Sequence, residues 1–301
     1  MKKPFFDLRC FAVLPVVFLT LFGTALWSAS NDTPKSPVSA FGPERPSSIA
    51  LLSAFFGLDN ALPSRADVLC PGASSLDGMP VVLSRTIEAS SLQPGDFQVV
   101  TDSGVIHSPR CVTLRPAQDP GELRTVLLIG EFGNADDDPP ALVRVVDDLF
   151  SGQNKSDNGS RVNFRGTQIE VTPLQEGPSL VFAEVVPLNS VTEDTRGSAC
   201  PDEVKQILRV TWNGGVQLLN REELGELERE LYQVTVLSEN SSERRIVPAA
   251  LADLGDGDNN HLLCLDTEDI AISVRFPAGY LADPNLDLNP DTIVMVDVSQ
   301  E

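Results

Sequence analysis

Apolar residues in this chain come in short runs closed by turn signals, and that pattern restricts the fold more than any other feature. From Cys70 onward the runs are Met79–Ser84 (MPVVLS), Phe97–Thr101 (FQVVT), Cys111–Leu114 (CVTL), Thr125–Ile129 (TVLLI) and Ala141–Val146 (ALVRVV). Between them stand Leu92-Gln93-Pro94-Gly95-Asp96, Asp102-Ser103-Gly104 and Asp119-Pro120-Gly121, residues that favour chain reversal. A strand that must turn back after a few residues produces this spacing in a β-sandwich. The scarcity of aromatics (6%) and the 21 Gly and 23 Pro agree with many short strands joined by turns.

The second half replays the order. Cys200-Pro201 echoes Cys70-Pro71, and Ile207–Trp212 (ILRVTW) takes the place of MPVVLS. Tyr232–Val236 (YQVTV) answers Phe97–Thr101, and Ile246-Val247-Pro248 stands where Ile106-His107-Ser108-Pro109 stood. His261–Leu265 (HLLCL) answers TVLLI, and Ile272–Phe276 (ISVRF) answers ALVRVV. One departure is plain: Cys111 follows the Pro109 turn, whereas Cys264 lies one strand later, so the two cysteine pairs are not equivalent. The stretch Asn220–Leu231 (NREELGELEREL) places Leu224, Leu227 and Leu231 at helical spacing and predicts a short surface helix with Asn220 at its N-cap. Residues 49–58 (IALLSAFFGL) read either as a short helix or as a first strand.

Residues 77–129 resemble bacterial Ig-like modules of surface and cell-wall proteins. The resemblance rests on Val82–Ile87, Leu92, Phe97, Val99 and Gly104, an apolar strand followed by an L-x(4)-F-x-V stretch and a Gly turn. It implies a β-sandwich acting as spacer, adhesion or binding module, and carries no catalytic residue. The fold expected is therefore all-β, with two tandem immunoglobulin-like sandwich domains at residues 49–188 and 189–301.

The N-terminus has the layout of an export signal over residues 1–30. Lys2, Lys3 and Arg9 precede an apolar run, Phe11–Trp27, and the small residues Ser28, Ala29 and Ser30 follow. An uncleaved anchor is the rival reading, weakened by Pro15, Thr20 and Gly23 within the run. Residues 31–48, rich in Pro and Ser, read as a disordered linker. No later segment is apolar for long enough to span a bilayer, so a periplasmic or secreted location is expected.

Four cysteines follow the signal: Cys70, Cys111, Cys200 and Cys264. An even number in an exported chain reads as disulfides, and none forms a CxxC pair. Four cysteines allow three connectivities; Cys70–Cys111 and Cys200–Cys264 are expected because each pair lies within one proposed domain.

The formal charge is −21, and about −23 without residues 1–30. Such a charge repels nucleic acid and favours cations and basic partners. Within it, Asp283, Asn285, Asp287, Asn289 and Asp291 alternate in ADPNLDLNPDT, a spacing that lets one loop wrap Ca²⁺. That loop lacks the sixth-position Gly and the terminal bidentate Glu of an EF-hand. Asp253, Asp256, Asp258 and Asn260 in DLGDGDNN form a second candidate, and Asp136-Asp137-Asp138 a third and weaker one. Turn formation on an acidic surface is the competing explanation for each.

Catalytic signatures are missing: no G-x-S-x-G, H-E-x-x-H, P-loop or dinucleotide fingerprint occurs. Only His107 and His261 supply imidazoles, the first read as a strand-edge residue and the second as a loop-to-strand residue next to the acidic loop. Asn154, Asn158 and Asn240 fit the N-x-[ST] glycosylation pattern. The expectation is a non-enzymatic binding or structural module of the cell envelope with an unidentified envelope or extracellular partner. The alternative is a secreted hydrolase with a calcium-stabilised sandwich.

Overall fold

The computed structural model describes residues 49–152, 161–188 and 197–297. The expected signal, the linker, and the acceptors Asn154 and Asn158 lie outside these residues. The first half contributes β1 (Leu51–Phe55), β2 (Asp77–Leu83), β3 (Phe97–Thr101), β4 (Ile106–His107), β5 (Cys111–Thr113), β6 (Thr125–Gly130), β7 (Pro140–Val145) and β8 (Gln168–Thr172). The second contributes β9 (Leu180–Val186), β10 (Gln206–Trp212), β11 (Gln233–Leu237), β12 (Glu243–Ile246), β13 (Ala250–Ala252), β14 (Asn260–Leu265), β15 (Ile270–Phe276) and β16 (Thr292–Asp297). Strand order is β4-β3-β7-β8-β1-β2-β6-β5 in one sheet and β12-β11-β15-β16-β9-β10-β14-β13 in the other. Each strand of the second order is its counterpart in the first plus eight, so the repeat legible in the sequence is a repeat of topology.

Each sheet folds over on itself. Antiparallel pairing holds throughout except at one seam per half, where β1 runs parallel to β8 and β9 parallel to β16. Period-2 alternation fills the space between the layers. Met79, Val81 and Leu83 of β2 and Val126 and Leu128 of β6 face Phe97 and Val99 of β3 and Val143 and Val145 of β7. In the second half Leu208, Val210 and Trp212 meet Val234, Val236, Val274 and Phe276. The architecture is all-β, as the spacing of apolar runs predicted.

Each half also carries a small cluster on the outside of one layer, and the disulfides sit there. Cys70 is bonded to Cys111 and Cys200 to Cys264. The first bridge packs with Leu62, Ala66, Ala73 and Ile129, the second with Val186, Ile207, Ala252 and Leu262. Register explains their inequivalence: Cys111 on β5 faces Ile129 on β6, while Ala250 on β13 faces Cys264 on β14. The bridging cysteine has moved to the neighbouring strand of the same pair.

Two sequence expectations change, and one open reading is decided. Residues 49–58 hold a strand, β1, and not a helix. The change of sheet falls at residues 173–179 instead of 188/189, because Leu180–Val186 pairs with β10 and β16; Pro173, Gly177 and Pro178 supply the turn chemistry there. The helix expected over Asn220–Leu231 shrinks to one turn, α1 (Glu226–Arg229), preceded by Gly225. Asn220 does not cap it: its Oδ1 accepts a hydrogen bond from the Glu222 amide, an Asx turn. Leu224 is buried but Leu227 is exposed, so no continuous apolar face forms.

Candidate metal centre at the junction of the two sheets

The outer face of the β1-β2-β6 layer meets the outer face of the β9-β10-β14 layer, and the junction is built on polar residues that neither core uses. Arg124, just before β6, is fully buried and reaches across to Glu184 on β9, Nη2 to Oε2 at 2.9 Å. Its Nη1 donates to the Ser84 carbonyl at 3.2 Å, and its guanidinium lies 3.9 Å over the Phe182 ring. Burial pulls this guanidinium below the usual arginine range, and the Glu184 charge works against that pull.

Arg209 on β10 reaches the opposite way. Its Nη1 donates to Glu184 Oε1 at 3.3 Å and to the Gly121 carbonyl at 3.0 Å, and its Nε stands 3.7 Å from Glu122 Oε1. A chain of alternating basic and acidic side chains, Arg124–Glu184–Arg209–Glu122, thus crosses the junction. Gly121 has φ +90, and a Cβ there would lie 2.7 Å from Arg209 Nη1, so only glycine lets the loop approach this closely. Gly214 serves likewise against Phe55, whose Cδ1 lies 2.6 Å from where a Cβ would stand. Asn259 Nδ2 donates to Thr125 Oγ1 at 3.1 Å, and Asn285 Nδ2 to the Gly57 carbonyl at 2.8 Å.

At one end of this chain the carboxylates gather. They come from the same hairpin connection in each half: β5 to β6 supplies Asp119 and Glu122, and β13 to β14 supplies Asp253, Asp256 and Asp258. One carboxylate oxygen from each of Asp119, Glu122 and Asp256 lies within 4.8 Å of the others. Asp119 and Glu122 are 5% and 1% exposed, Asp253 and Asp258 3% and 7%. Backbone geometry aims them: Asp253 takes a left-handed φ of 62, and Gly255 and Gly257 take φ of 101 and 74. Asp258 Oδ1 accepts the Asn260 amide at 2.7 Å, which ties the loop to the start of β14.

The electrostatics record the crowding. Burial raises the Glu122 carboxyl far above its ordinary range, the Asp253 carboxyl and the Asp258 charge add to the rise, and Arg209 opposes it. Asp258 is also raised, by burial first and by the Asp256 and Asp253 charges, against the pull of the Asn260 N–H. Glu122 Oε2 and Asp253 Oδ2 are buried with no hydrogen-bond donor. A groove of about 610 Å³ opens beside the cluster. Phe55, Leu58 and Pro80 line it from one half, and Asp256, Asp258 and Pro284 from the other.

Of the second sequence candidate, Asp253, Asp256 and Asp258 do converge, while Asn260 turns away, its Oδ1 accepting from Thr211 Oγ1 at 2.7 Å. Asp119 and Glu122 were missed because Asp119-Pro120-Gly121 reads as a turn and nothing local pairs it with the distant loop that begins at Asp253. In the first candidate loop, oxygens expected to face an ion are engaged by the protein. Asp283 accepts the Asn285 and Asp287 amides, each at 2.9 Å. Asn289 Oδ1 accepts the Tyr280 and Leu281 amides, and Asp291 pairs with Arg275. Asp138 of the third cluster accepts from Thr101 and Ser103.

Neither histidine stands at the cluster. His107 lies on β4, paired with Val99. His261 is buried with Nδ1 3.0 Å from the Tyr232 hydroxyl, which in turn accepts from Trp212 Nε1 at 3.3 Å. Burial lowers its pKa to about 4, so it is neutral at pH 7. Among the described residues no helix is long and apolar enough to cross a membrane. No protein-family model and no curated protein matches the chain.

Proposed function

We propose that this chain is an exported, non-enzymatic structural or binding module in which two β-sandwich units act as one body. The observation that carries the reading is the junction: the buried ion chain Arg124–Glu184–Arg209, with Glu122 beside its end, spans two repeats of identical topology and fixes one unit against the other. Two tethered units free to swivel would leave such a network exposed to water, where it contributes little. Both disulfides support an oxidising compartment, because bridges of this kind persist outside the cytoplasm. The N-terminal layout and the resemblance of residues 77–129 to bacterial Ig-like modules point the same way.

The site chemistry favours binding over turnover. Glu122 and Asp258 are carboxyls of the kind a hydrolase would use, yet both are more than nine-tenths buried. A general acid or base has to reach the proton it transfers, and His261 is committed to Tyr232. Cell fractionation of the native host, with N-terminal sequencing and alkylation of free thiols, tests the reading. It predicts a chain starting near Ser28–Ser30 in the envelope or medium, with no alkylated cysteine among Cys70, Cys111, Cys200 and Cys264. An intact Met1 in the cytoplasm with four free thiols would contradict it.

A further inference from the structure

We infer that Asp119, Glu122, Asp253, Asp256 and Asp258 form a calcium site shared by the two halves, in which the ion pins the β5–β6 hairpin loop to the β13–β14 loop. Two independent observations meet there. The first is convergence: oxygens of Asp119, Glu122 and Asp256 lie within 4.8 Å of one another. Calcium bonds of roughly 2.3–2.6 Å span up to about 5 Å between opposite ligands, whereas magnesium, at roughly 2.0–2.1 Å, demands a tighter shell. The second is a buried acceptor without a donor. Glu122 is 1% exposed, and while its Oε1 faces Arg209, its Oε2 meets no N–H or hydroxyl donor and has only the neighbouring carboxyls of Asp253 and Asp258 for company. Asp253 Oδ2 is in the same position. An oxygen sealed from water with no donor forfeits its solvation, and a cation restores it.

The donor set suits a hard ion that tolerates irregular coordination. All five side chains offer carboxylate oxygen and no nitrogen or sulfur ligand is involved, which selects calcium or magnesium over zinc or copper. Access is open: Asp256 is half-buried and lines the groove, so an ion enters past it to the sealed Glu122. Because the ligands come from both repeats, the ion acts on the junction and not on either core. The inference goes beyond the proposed function, since the buried arginine–glutamate chain joins the halves without it.

Titration calorimetry of Ca²⁺ into the EDTA-treated, disulfide-intact protein tests this, with Mg²⁺ as comparator and thermal melts alongside. One site is expected, at least tenfold tighter for Ca²⁺ than for Mg²⁺. At free Ca²⁺ a hundredfold above Kd, Tm should rise by about 5–10 °C. Asp256→Asn, at the half-buried rim, should weaken binding at least tenfold while the protein stays folded by circular dichroism. Glu122→Gln should do the same or more, and Asp287→Asn in the other acidic loop should change nothing. No heat and no Tm shift at 10 mM Ca²⁺ (about tenfold above the weakest Kd of such sites) would overturn the inference, leaving the carboxyls to share protons. So would binding that survives Asp256→Asn and Glu122→Gln, or that is lost in Asp287→Asn. A protein that ignores Ca²⁺ yet unfolds in one step would refute the ion site alone; two separate unfolding steps would refute the single-body reading instead.

Discussion

Replacing Glu184 by alanine is the sharpest perturbation of the junction. Its two oxygens serve two arginines, Oε2 at 2.9 Å from Arg124 and Oε1 at 3.3 Å from Arg209. The side chains of Arg124, Glu184 and Arg209 are 1%, 3% and 6% exposed, so water cannot take over when the carboxylate goes. Removing one partner of a buried pair costs about 3–5 kcal/mol, mostly for the charge left behind. Two stranded guanidiniums place Glu184→Ala at the upper end, about 4–5 kcal/mol, which for a chain of this size lowers Tm by about 8–15 °C. The double variant Arg124→Met/Glu184→Met removes charge from both sides and should cost at least about 2 kcal/mol less than the sum of the single changes. Arg124 comes from the first half and Glu184 from the second, so this coupling energy measures the attachment of one half to the other. Urea unfolding of the wild type, Arg124→Met, Glu184→Met and the double variant supplies it. A Glu184→Ala loss below about 1 kcal/mol, or strict additivity, would refute the claim that the ion chain holds the junction.

Two further outcomes follow from buried groups. His261 has a folded pKa of about 4 against an unfolded value near 6.5. The unfolded state therefore binds the extra proton first, and stability contributed by neutral His261 is full above pH 6.5 and falls as pH drops toward 4. The loss amounts to about 3 kcal/mol by pH 4, and His261→Gln should flatten that part of the stability–pH curve. Cys70→Ser/Cys111→Ser and Cys200→Ser/Cys264→Ser open loops of 41 and 64 residues. Each should cost about 4 kcal/mol by loop-closure entropy, read from denaturant midpoints.

Most of the fold was legible because it rests on local rules. Met79-Pro80-Val81-Val82-Leu83 and Ile207–Trp212 alternate or run apolar with β-branched residues, and the turns between strands use Gly, Pro and Asp for reasons fixed by backbone sterics. The repeat map, Cys200 on Cys70 and HLLCL on TVLLI, follows from the same patterns, and with it the cysteine pairing. What failed was set by contacts the sequence does not display. Leu180–Val186 is apolar enough for either sheet, and only its pairing with β10 and β16 decides. Leu224, Leu227 and Leu231 have helical spacing, but Gly225 interrupts the helix and Leu227 faces water.

The candidate centre was half visible for the same reason. Asp253, Asp256 and Asp258 share a loop and announce themselves by spacing. Asp119 and Glu122 arrive from the equivalent hairpin of the other repeat, and equivalence in a repeat does not imply contact in space. Conversely, Asp283 and Asn289 had the spacing of ligands, yet both serve their own loop as hydrogen-bond acceptors for backbone amides. Alternation of Asp and Asn reports available oxygens, and the backbone claims them first where the turn is tight.

A buried ion chain across the junction requires the two β halves to unfold as one cooperative body. Differential scanning calorimetry of the disulfide-intact protein answers this directly. One transition is predicted, with calorimetric and van't Hoff enthalpies equal at about 170 kcal/mol, on the order of 0.7 kcal/mol for each folded residue. Two resolved transitions, each carrying about half that enthalpy, would contradict it and reduce the junction to a contact between independent units.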